Sequence, residues 1–311
     1  MREYSAPATY DLDEGGILAR LPWRRAAERP HHVSFEKFDT GEWHAITAKS
    51  FAAAVTATAK GLIASGIQAG DRVAIMAGTR FEWVLLDCAI WGAGAVTVPI
   101  YPSSAPAQIE WIVADSGARI LCVDNGAQRR LTLEAALPDG VEVLTIDEGA
   151  IDDLRRRGAD LPDEVVTEAL ATLTLDSPAS IVYTSGTTAR PKGCVLTHRN
   201  LLAEVRAILA HPAGREAAAS GRRTLMFLPL AHVLARAVTY AAWEGGATVG
   251  FWGDFGTVTD KFASFRPTFV LGVPRVFEKV HEGVRKNAAK SGPVTAEIFR
   301  RAEQVAIRWS E

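Results

Sequence analysis

Apolar residues follow two alternating patterns along this chain. Short continuous apolar runs, such as Arg72–Met76, are typical of strands that are buried on both faces. Between these runs, apolar residues three and four positions apart indicate amphipathic helices, as in the stretch that follows Thr47. Thr47 is a favourable helix N-cap and Gly66 a favourable stop. The alternation predicts parallel strands joined by helical crossovers, and therefore an open α/β sheet.

The pattern predicts two series of elements. The first series contains a helix at 47–65, a strand at 72–76, a helix at 81–91, a strand at 95–99, a helix at 107–115, a strand at 119–123, a helix at 127–136 and a strand at 141–146. The polar stretch 148–176 is predicted as a surface helix and connector. Strands at 181–184 and 194–196 come next, followed by a helix from Thr197 or Asn200 to Ala210. The second series begins with a strand at 224–228 and continues with strands at 247–251 and 268–273.

Composition and charge narrow the classes of function. Of the 311 residues, 48% are hydrophobic and 23% are charged, which is a globular composition. The net charge is −2, from 34 basic and 36 acidic residues. Because there is no basic excess, we expect no nucleic-acid partner, although local positive charge would suffice for a small acidic ligand.

Cysteine spacing and the apolar stretches indicate the compartment. Cys88, Cys122 and Cys194 lie far apart, without metal-binding or redox spacing, and predict free thiols in a reducing compartment. The residues after Met1 lack the apolar core of a signal peptide. The most apolar stretch, Val84–Ile100, contains an aspartate and two glycines and is shorter than a span of about 20 residues. We therefore expect a cytoplasmic protein without a transmembrane segment, which leaves room for peripheral contact with a membrane.

One loop carries the strongest chemical signal. Four hydroxyl side chains lie within five residues, beside a glycine and ahead of a lysine, in the segment Tyr183-Thr184-Ser185-Gly186-Thr187-Thr188-Ala189-Arg190-Pro191-Lys192-Gly193. Small hydroxyl residues leave backbone N–H groups accessible and add O–H donors, which together can surround polyphosphate oxygens. The lysine would supply a positive charge to a phosphate oxygen.

This loop differs from a Walker A motif. That motif ends in Gly-Lys-Ser/Thr and leads into a helix. Here Pro191 precedes Lys192, Gly193 follows it, and the next residues predict a strand. The difference disfavours a P-loop NTPase.

The loop resembles the phosphate-binding signature of the adenylate-forming superfamily, Tyr-Thr-Ser-Gly-Thr-Thr-Gly-x-Pro-Lys-Gly. That superfamily contains acyl-CoA synthetases, luciferases and the adenylation domains of peptide synthetases. Ala189 occupies a position where the family usually has glycine, and a positive φ there would cost alanine roughly 1–2 kcal/mol. We expect altered mobility of the loop and retained nucleotide binding.

Further segments extend the resemblance over most of the chain. They are Gly70–Ile75, Ala93–Pro99, Phe227–Arg236 and Gly272–Lys279, and the last two are similar to strings of the long-chain fatty-acid branch. Taken alone, His232 would be an ordinary turn histidine, and Arg236 and Arg275 would be surface charges. Their order and spacing behind the loop imply that all three bind substrate.

The resemblance implies two half-reactions. A fatty carboxylate attacks the α-phosphate of ATP to give acyl-AMP and pyrophosphate, and the thiol of coenzyme A then takes the acyl group and releases AMP. Nucleotide binding is expected at Thr184, Ser185, Gly186, Thr187, Thr188, Ala189 and Lys192. Thr184, Lys192 and His232 are the expected catalytic residues. Thr184 is also the expected contact for Mg²⁺, which would neutralise phosphate charge.

The resemblance also implies a domain organisation. The expected fold is two stacked α/β lobes, the first spanning about 73–202 and the second combining 1–72 with 203–311. A Tyr-Gly-x-Thr-Glu segment, a later ribose-binding aspartate and a small C-terminal domain with a catalytic lysine are absent from this sequence. We therefore expect an N-terminal part with an incomplete second lobe that does not make acyl-CoA by itself. An acyl-AMP ligase that loads a carrier protein and a non-catalytic nucleotide-binding fragment remain the alternatives.

Overall fold

The computed structural model describes residues 9–184 and 190–310, without the side chains of residues 275, 279, 280 and 310. The strands in this part of the chain are β1 (Val33–Asp39), β2 (Glu42–Thr47), β3 (Arg72–Met76), β4 (Val96–Ile100), β5 (Ala118–Val123), β6 (Glu142–Thr145), β7 (Pro178–Thr184), β8 (Lys192–Thr197), β9 (Arg223–Met226) and β10 (Thr248–Phe251).

The same part of the chain also contains α-helices. They are α1 (Leu21–Glu28), α2 (Ala48–Ala64), α3 (Phe81–Gly92), α4 (Pro106–Ser116), α5 (Gly126–Glu134), α6 (Ala150–Arg157), α7 (Glu164–Ala171), α8 (His198–Ala210), α9 (Pro212–Ala217), α10 (Val233–Gly245), α11 (Val258–Phe265), α12 (Pro274–Lys290) and α13 (Pro293–Ser310).

Six strands form the larger sheet, in the order β6-β5-β3-β4-β7-β8. The first five are parallel, whereas β8 runs antiparallel to β7 at the edge. Four strands form the smaller sheet, in the order β2-β1-β10-β9. There β1, β10 and β9 are parallel, and β2 is the antiparallel partner of β1. The predicted α/β class with two sheets is confirmed.

The main hydrophobic core includes residues from both sheets and is centred on α3. Every residue of α3 is buried, and Trp83 and Trp91 are among its largest enclosed side chains. An aromatic cluster extends this core, with the ring of Phe35 4.6 Å from that of Phe51 and 5.0 Å from that of Trp243. Aromatic side chains bury large areas and favour tilted contacts at such distances. The largely apolar sequence of α3, in which Glu82 and Asp87 are the charged residues, is therefore explained by its central position.

Several predicted elements are confirmed within one or two residues. Thr47 caps α2 by accepting from the amide of Ser50. Thr197 and Asn200 together form the capping box of α8, so both predicted cap residues take part.

Two expectations about strands were incomplete or wrong. Strands β1 and β2 were not predicted; they are joined by a tight turn with φ values of 48° at Thr40 and 94° at Gly41. The predicted strand at 268–273 is wrong, because only Phe269 pairs with Thr224 and the ladder does not continue. Pro274 begins a helix soon afterwards, and proline cannot donate to a strand ladder.

The chain divides into two units, the first reaching Val270 and the second beginning at Leu271. The second unit is built from α12 and α13, which are joined by a polar contact of 2.7 Å between the Nε2 of His281 and the carboxylate of Glu303. In the described ranges, no helix combines the length and the apolar character needed to cross a bilayer.

Candidate functional site

The ends of the predicted phosphate-binding loop are held together by a strand pair. Thr184, the last residue of β7, lies opposite Lys192, the first residue of β8, and both are exposed. Antiparallel pairing fixes the two ends of a connection at one place. The structure therefore brings the hydroxyl-bearing and the cationic ends of the loop together. Ser185, Gly186, Thr187, Thr188 and Ala189, which were also predicted to bind nucleotide, lie outside the described residues.

Helix α4 supports the base of this loop. The indole nitrogen of Trp111 donates to the carbonyl oxygen of Pro191 at 2.8 Å, and the guanidinium of Arg190 lies 4.8 Å from the centre of the Trp111 ring. One turn later on the same face, Asp115 accepts a hydrogen bond of 2.6 Å from the hydroxyl of Tyr183. These contacts orient both strands that enter the loop, and the sequence analysis did not identify them.

Burial and the contact with Asp115 raise the pKa of the Tyr183 hydroxyl. The hydroxyl therefore stays protonated and donates to the carboxylate. Gly193 is required beside it, because a Cβ atom at that position would lie 2.9 Å from the side chain of Ile181 and 3.1 Å from the Tyr183 ring. The glycine that closes the motif thus permits close packing under the loop.

His232 is exposed and caps the N-terminus of α10. Its Nδ1 accepts from the amide of Leu234 at 3.2 Å. A neutral imidazole whose Nδ1 accepts carries its proton on Nε2, which then serves as a donor. The hydroxyl of Thr79 donates to the carbonyl oxygen of Leu228 at 2.7 Å and anchors the segment that leads to His232. The structure thus leaves one N–H of His232 available to a ligand oxygen.

Arg236 does not share an exposed face with His232, and this corrects the expectation that Arg236 binds substrate directly. Its exposed fraction is 2%, and its guanidinium makes a bidentate ion pair with Asp87 at 2.6 and 2.9 Å. His232 precedes the helix, whereas Arg236 lies one turn inside it and faces α3. An arginine enclosed and paired in this way does not reach a fatty chain. The side chain of Arg275, the third predicted substrate residue, lies outside what the structure describes.

An apolar groove of about 390 Å³ lies between β8, α8 and the first turn of α10. Its lining residues are Leu196, Asn200, Leu201, Glu204, Val233, Leu234 and Ala237. Val233 and Leu234 directly follow His232, and Leu196 lies on the strand that Lys192 begins. The groove is therefore bordered by the two elements that present the candidate site residues.

A second, polar cleft of about 380 Å³ lies at the carboxyl ends of β3, β5 and β10. Arg80 there pairs with Glu82 at 2.7 Å and with Asp147 at 2.8 Å, and it also pairs with Asp124 at 2.5 Å. Burial alone would raise the pKa of Glu82, but hydrogen bonds from Arg80 and Lys37 outweigh it and lower that pKa. The positive charge in this cleft is therefore already neutralised.

The Mg²⁺ that Thr184 is predicted to contact would be held mainly by the phosphates of ATP. Among the residues that the structure describes, there is no group of three side chains suited to holding a metal ion. Mg²⁺ usually binds through one or two protein oxygens, substrate phosphates and waters. The exposed hydroxyl of Thr184 fits that mode.

Comparison with known proteins connects this geometry to a family. The family described as AMP-binding enzyme matches residues 22–304. The long-chain-fatty-acid–CoA ligase FadD15 of Mycobacterium bovis is 42% identical over the whole of this chain, which covers 52% of that protein. The peroxisomal long chain acyl-CoA synthetase 7 of Arabidopsis thaliana is 31% identical over 83% of this chain, and the match covers 38% of that protein.

A solved structure gives a similar result. The Mycobacterium tuberculosis fatty acyl CoA synthetase superposes with a TM-score of 0.67 at 25% identity, over 86% of this chain and 51% of that one. The chain thus spans about half the length of the curated relatives that match it over its whole length.

Proposed function

The chain belongs to the AMP-binding enzyme family, and from this premise we propose that its protein activates a long-chain fatty acid with ATP and transfers the acyl group to coenzyme A. One observation carries the proposal. The strand that begins at Lys192 and the helix that His232 caps border the same apolar groove. A phosphate-binding loop and a site for a hydrocarbon chain would then meet at one place, as the joining of a fatty carboxylate to a nucleotide requires.

The described residues have distinct tasks in the first half-reaction. A carboxylate oxygen of the fatty acid forms a bond to the α-phosphorus while the bond to the β-phosphate oxygen breaks, and pyrophosphate leaves. Lys192 and the hydroxyl of Thr184 hold phosphate oxygens, and the Nε2–H of His232 donates to an oxygen at the reacting end. Mg²⁺, bound with ATP, lowers the repulsion between the phosphates and the incoming carboxylate.

In the second half-reaction the thiol of coenzyme A loses its proton to water as its sulfur attacks the acyl carbon, and AMP leaves with the electrons of the broken acyl–oxygen bond. The groove orients the acyl chain during both steps and keeps water from its apolar length. We further propose that this reaction takes place in the cytoplasm, with the two lobes divided as the sequence predicts.

The proposal is tested with a stable mimic of the intermediate, in which a sulfamoyl group replaces the phosphate of palmitoyl-AMP. We expect the chain to bind this compound, as measured by calorimetry, and to bind the acetyl analogue at least tenfold more weakly, since each buried CH₂ contributes about 0.8 kcal/mol. A folded chain that binds both analogues equally would contradict the acyl-groove assignment, and one that binds neither would contradict the proposed function.

Two further assays separate the alternatives. In the whole protein, trapping with hydroxylamine reports acyl-AMP, whereas thioester analysis reports acyl-CoA, so an acyl-AMP ligase would give the first product without the second. Acyl-CoA formation by this chain alone, with a Lys192→Ala variant excluding contaminating enzyme, would contradict the expectation that the elements absent from this sequence are required.

A further inference from the structure

Directly behind the candidate site lies an enclosed polar network. Its centre is the ion pair between Arg236 of α10 and Asp87 of α3, whose side chains are 3% and 0% exposed. Asp87 also accepts hydrogen bonds from Tyr240 at 2.6 Å and from Thr97 at 2.7 Å. The third nitrogen of Arg236 donates to the hydroxyl of Ser180 at 2.8 Å. Helix α10 and strand β4 therefore bond to one carboxylate of α3, and β7 joins the network through Arg236.

Among the described residues, no buried side-chain nitrogen or oxygen of this network lacks a hydrogen-bond partner. The hydroxyl of Ser180 donates in turn to the carbonyl oxygen of Thr97 at 2.9 Å. The guanidinium of Arg236 lies 5.0 Å from the ring centre of Trp91 and 5.5 Å from that of Trp83. A buried ion pair rarely gives more stability than an apolar pair of equal size, whereas its geometry is highly specific. The network is therefore better suited to fixing positions than to strengthening the core.

The network bonds to the two elements that carry candidate site residues, β7 and α10. Ser180 lies on β7, four residues before Thr184, and its register partner on β4 is Thr97. Arg236 lies on α10, four residues after His232. The indole of Trp91 on α3 adds a bond of 2.8 Å to the carbonyl oxygen of Ala179, so that α3 holds β7 directly beside the residue that Arg236 of α10 holds.

We infer that Arg236, Asp87 and Ser180 are positioning residues for adenylation, and that their hydrogen bonds hold β7 and α10 so that Thr184, Lys192 and His232 act on the same substrate. This inference depends on the proposed function, because the substrate is the one proposed there. It assigns Arg236 a role through other residues and not through contact with the fatty acid.

Two substitutions probe the connection without leaving a buried carboxylate unpaired. Ser180→Ala removes the bond between Arg236 and β7 and keeps the ion pair. Arg236→Lys keeps the charge but cannot bond to Asp87 and Ser180 in the same forked geometry. The matched control is Arg223→Lys, since Arg223 makes a bidentate pair with Glu36 at 2.7 and 2.7 Å and lies 4.3 Å from the ring centre of Phe265. That pair joins β9 to β1 in the other sheet.

The first measurement is the dissociation constant for Mg·ATP, obtained by calorimetry on the chain under conditions where circular dichroism shows that it is folded. We expect Ser180→Ala and Arg236→Lys to weaken binding by about tenfold, the range for a charged hydrogen bond, and Arg223→Lys by less than about twofold. Unchanged affinity in a folded Ser180→Ala variant would overturn the inference, even if Arg236→Lys failed to fold.

The second measurement uses hydrogen exchange in the ligand-free chain, so its result does not depend on nucleotide binding. We expect Ser180→Ala to accelerate exchange at the amides of Lys192 and Leu234 together, while Arg223→Lys leaves both unchanged. Exchange that accelerates uniformly over the core would indicate a merely structural role and overturn the inference. A wild-type chain that does not bind Mg·ATP would contradict the proposed function, and the exchange result would still decide the positioning role.

Discussion

The candidate site and the enclosed polar network behind it contain similar polar side chains in opposite settings. We call this network, formed by Asp87, Thr97, Ser180, Arg236 and Tyr240, the enclosed junction. In the candidate site, Thr184, Lys192 and His232 are exposed, and each presents a donor or a charge outward. Four residues away in sequence from Thr184 and His232, respectively, Ser180 and Arg236 are buried and bonded to other protein groups. The difference shows that residue type alone does not identify a ligand contact. What separates the two regions is whether the polar group remains available after the chain has folded.

The first way to test this comparison is to break the ion pair of the enclosed junction. Asp87→Ala leaves the Arg236 guanidinium buried without its partner, and we expect a loss of about 3–5 kcal/mol in the free energy of unfolding. Denaturant unfolding measures this loss. The control is Glu36→Ala, because Arg223 is 32% exposed and water can solvate it. Equal losses in the two variants would show that the junction is no more enclosed than the surface pair.

The sequence predicted some parts of these regions well for a physical reason. Buried parallel strands are continuous apolar runs, so β3 was located at its observed limits, and local caps such as Thr47 marked the starts of helices correctly. The loop was identified because its hydroxyl groups, glycine and lysine are adjacent in sequence. The positions of Thr184 and Lys192 follow from the pairing of the strands on either side of it.

Other parts could not be predicted because they depend on distant residues. Arg236 meets Asp87 across 149 positions of the chain, and nothing local to either residue indicates that pairing. The support of the loop by Trp111 crosses 80 positions. The hairpin of β1 and β2 was missed because its residues include many polar side chains, although the Thr40-Gly41 turn was a signal that could have been used.

A second test uses a histidine of the enclosed region. His198 is fully buried, packs against Trp91, and has no recorded hydrogen-bond partner for either ring nitrogen among the described residues. Burial, followed by the charges of Arg236 and Arg20, lowers its pKa from 6.5 to about 4. The unfolded chain therefore binds a proton more readily, so stability is lost as the pH falls from 6.5 towards 4, by roughly 3 kcal/mol in total.

The measurement is the free energy of unfolding at several pH values for wild type and His198→Leu. We expect the variant to lose the part of the slope between pH 6.5 and 4 that this residue causes. His31→Leu, at an exposed position, should keep the slope. A His198→Leu variant with the full wild-type slope would show that the ring is protonated in the folded protein.

The exposed region is tested through Lys192. Its ammonium is predicted to contact phosphate, so Lys192→Ala should weaken Mg·ATP binding by about 1.5–3 kcal/mol, the range for a hydrogen bond to a charged group. The free energy of unfolding should change little, because the residue is exposed. Calorimetry and thermal unfolding measure the two quantities. Lys49→Ala, at another exposed lysine, is the control. An equal loss of affinity in that variant would mean that the effect of Lys192→Ala comes from the change in net charge and not from a contact with phosphate.

The smallest expected effect concerns the contact between β7 and α4 at the base of the loop. Tyr183→Phe removes only the hydroxyl that donates to Asp115, and it leaves the ring packed against Gly193. We expect Mg·ATP binding to weaken by about 0.5–1.5 kcal/mol, the net contribution of one hydrogen bond, because β7 would be less firmly oriented by α4. Tyr101→Phe, at a partly exposed position, should leave the affinity unchanged. An unchanged affinity in Tyr183→Phe with a normal effect of Lys192→Ala would mean that the strand pairing of Thr184 with Lys192 is sufficient to form the site, and that the support from α4 serves stability alone.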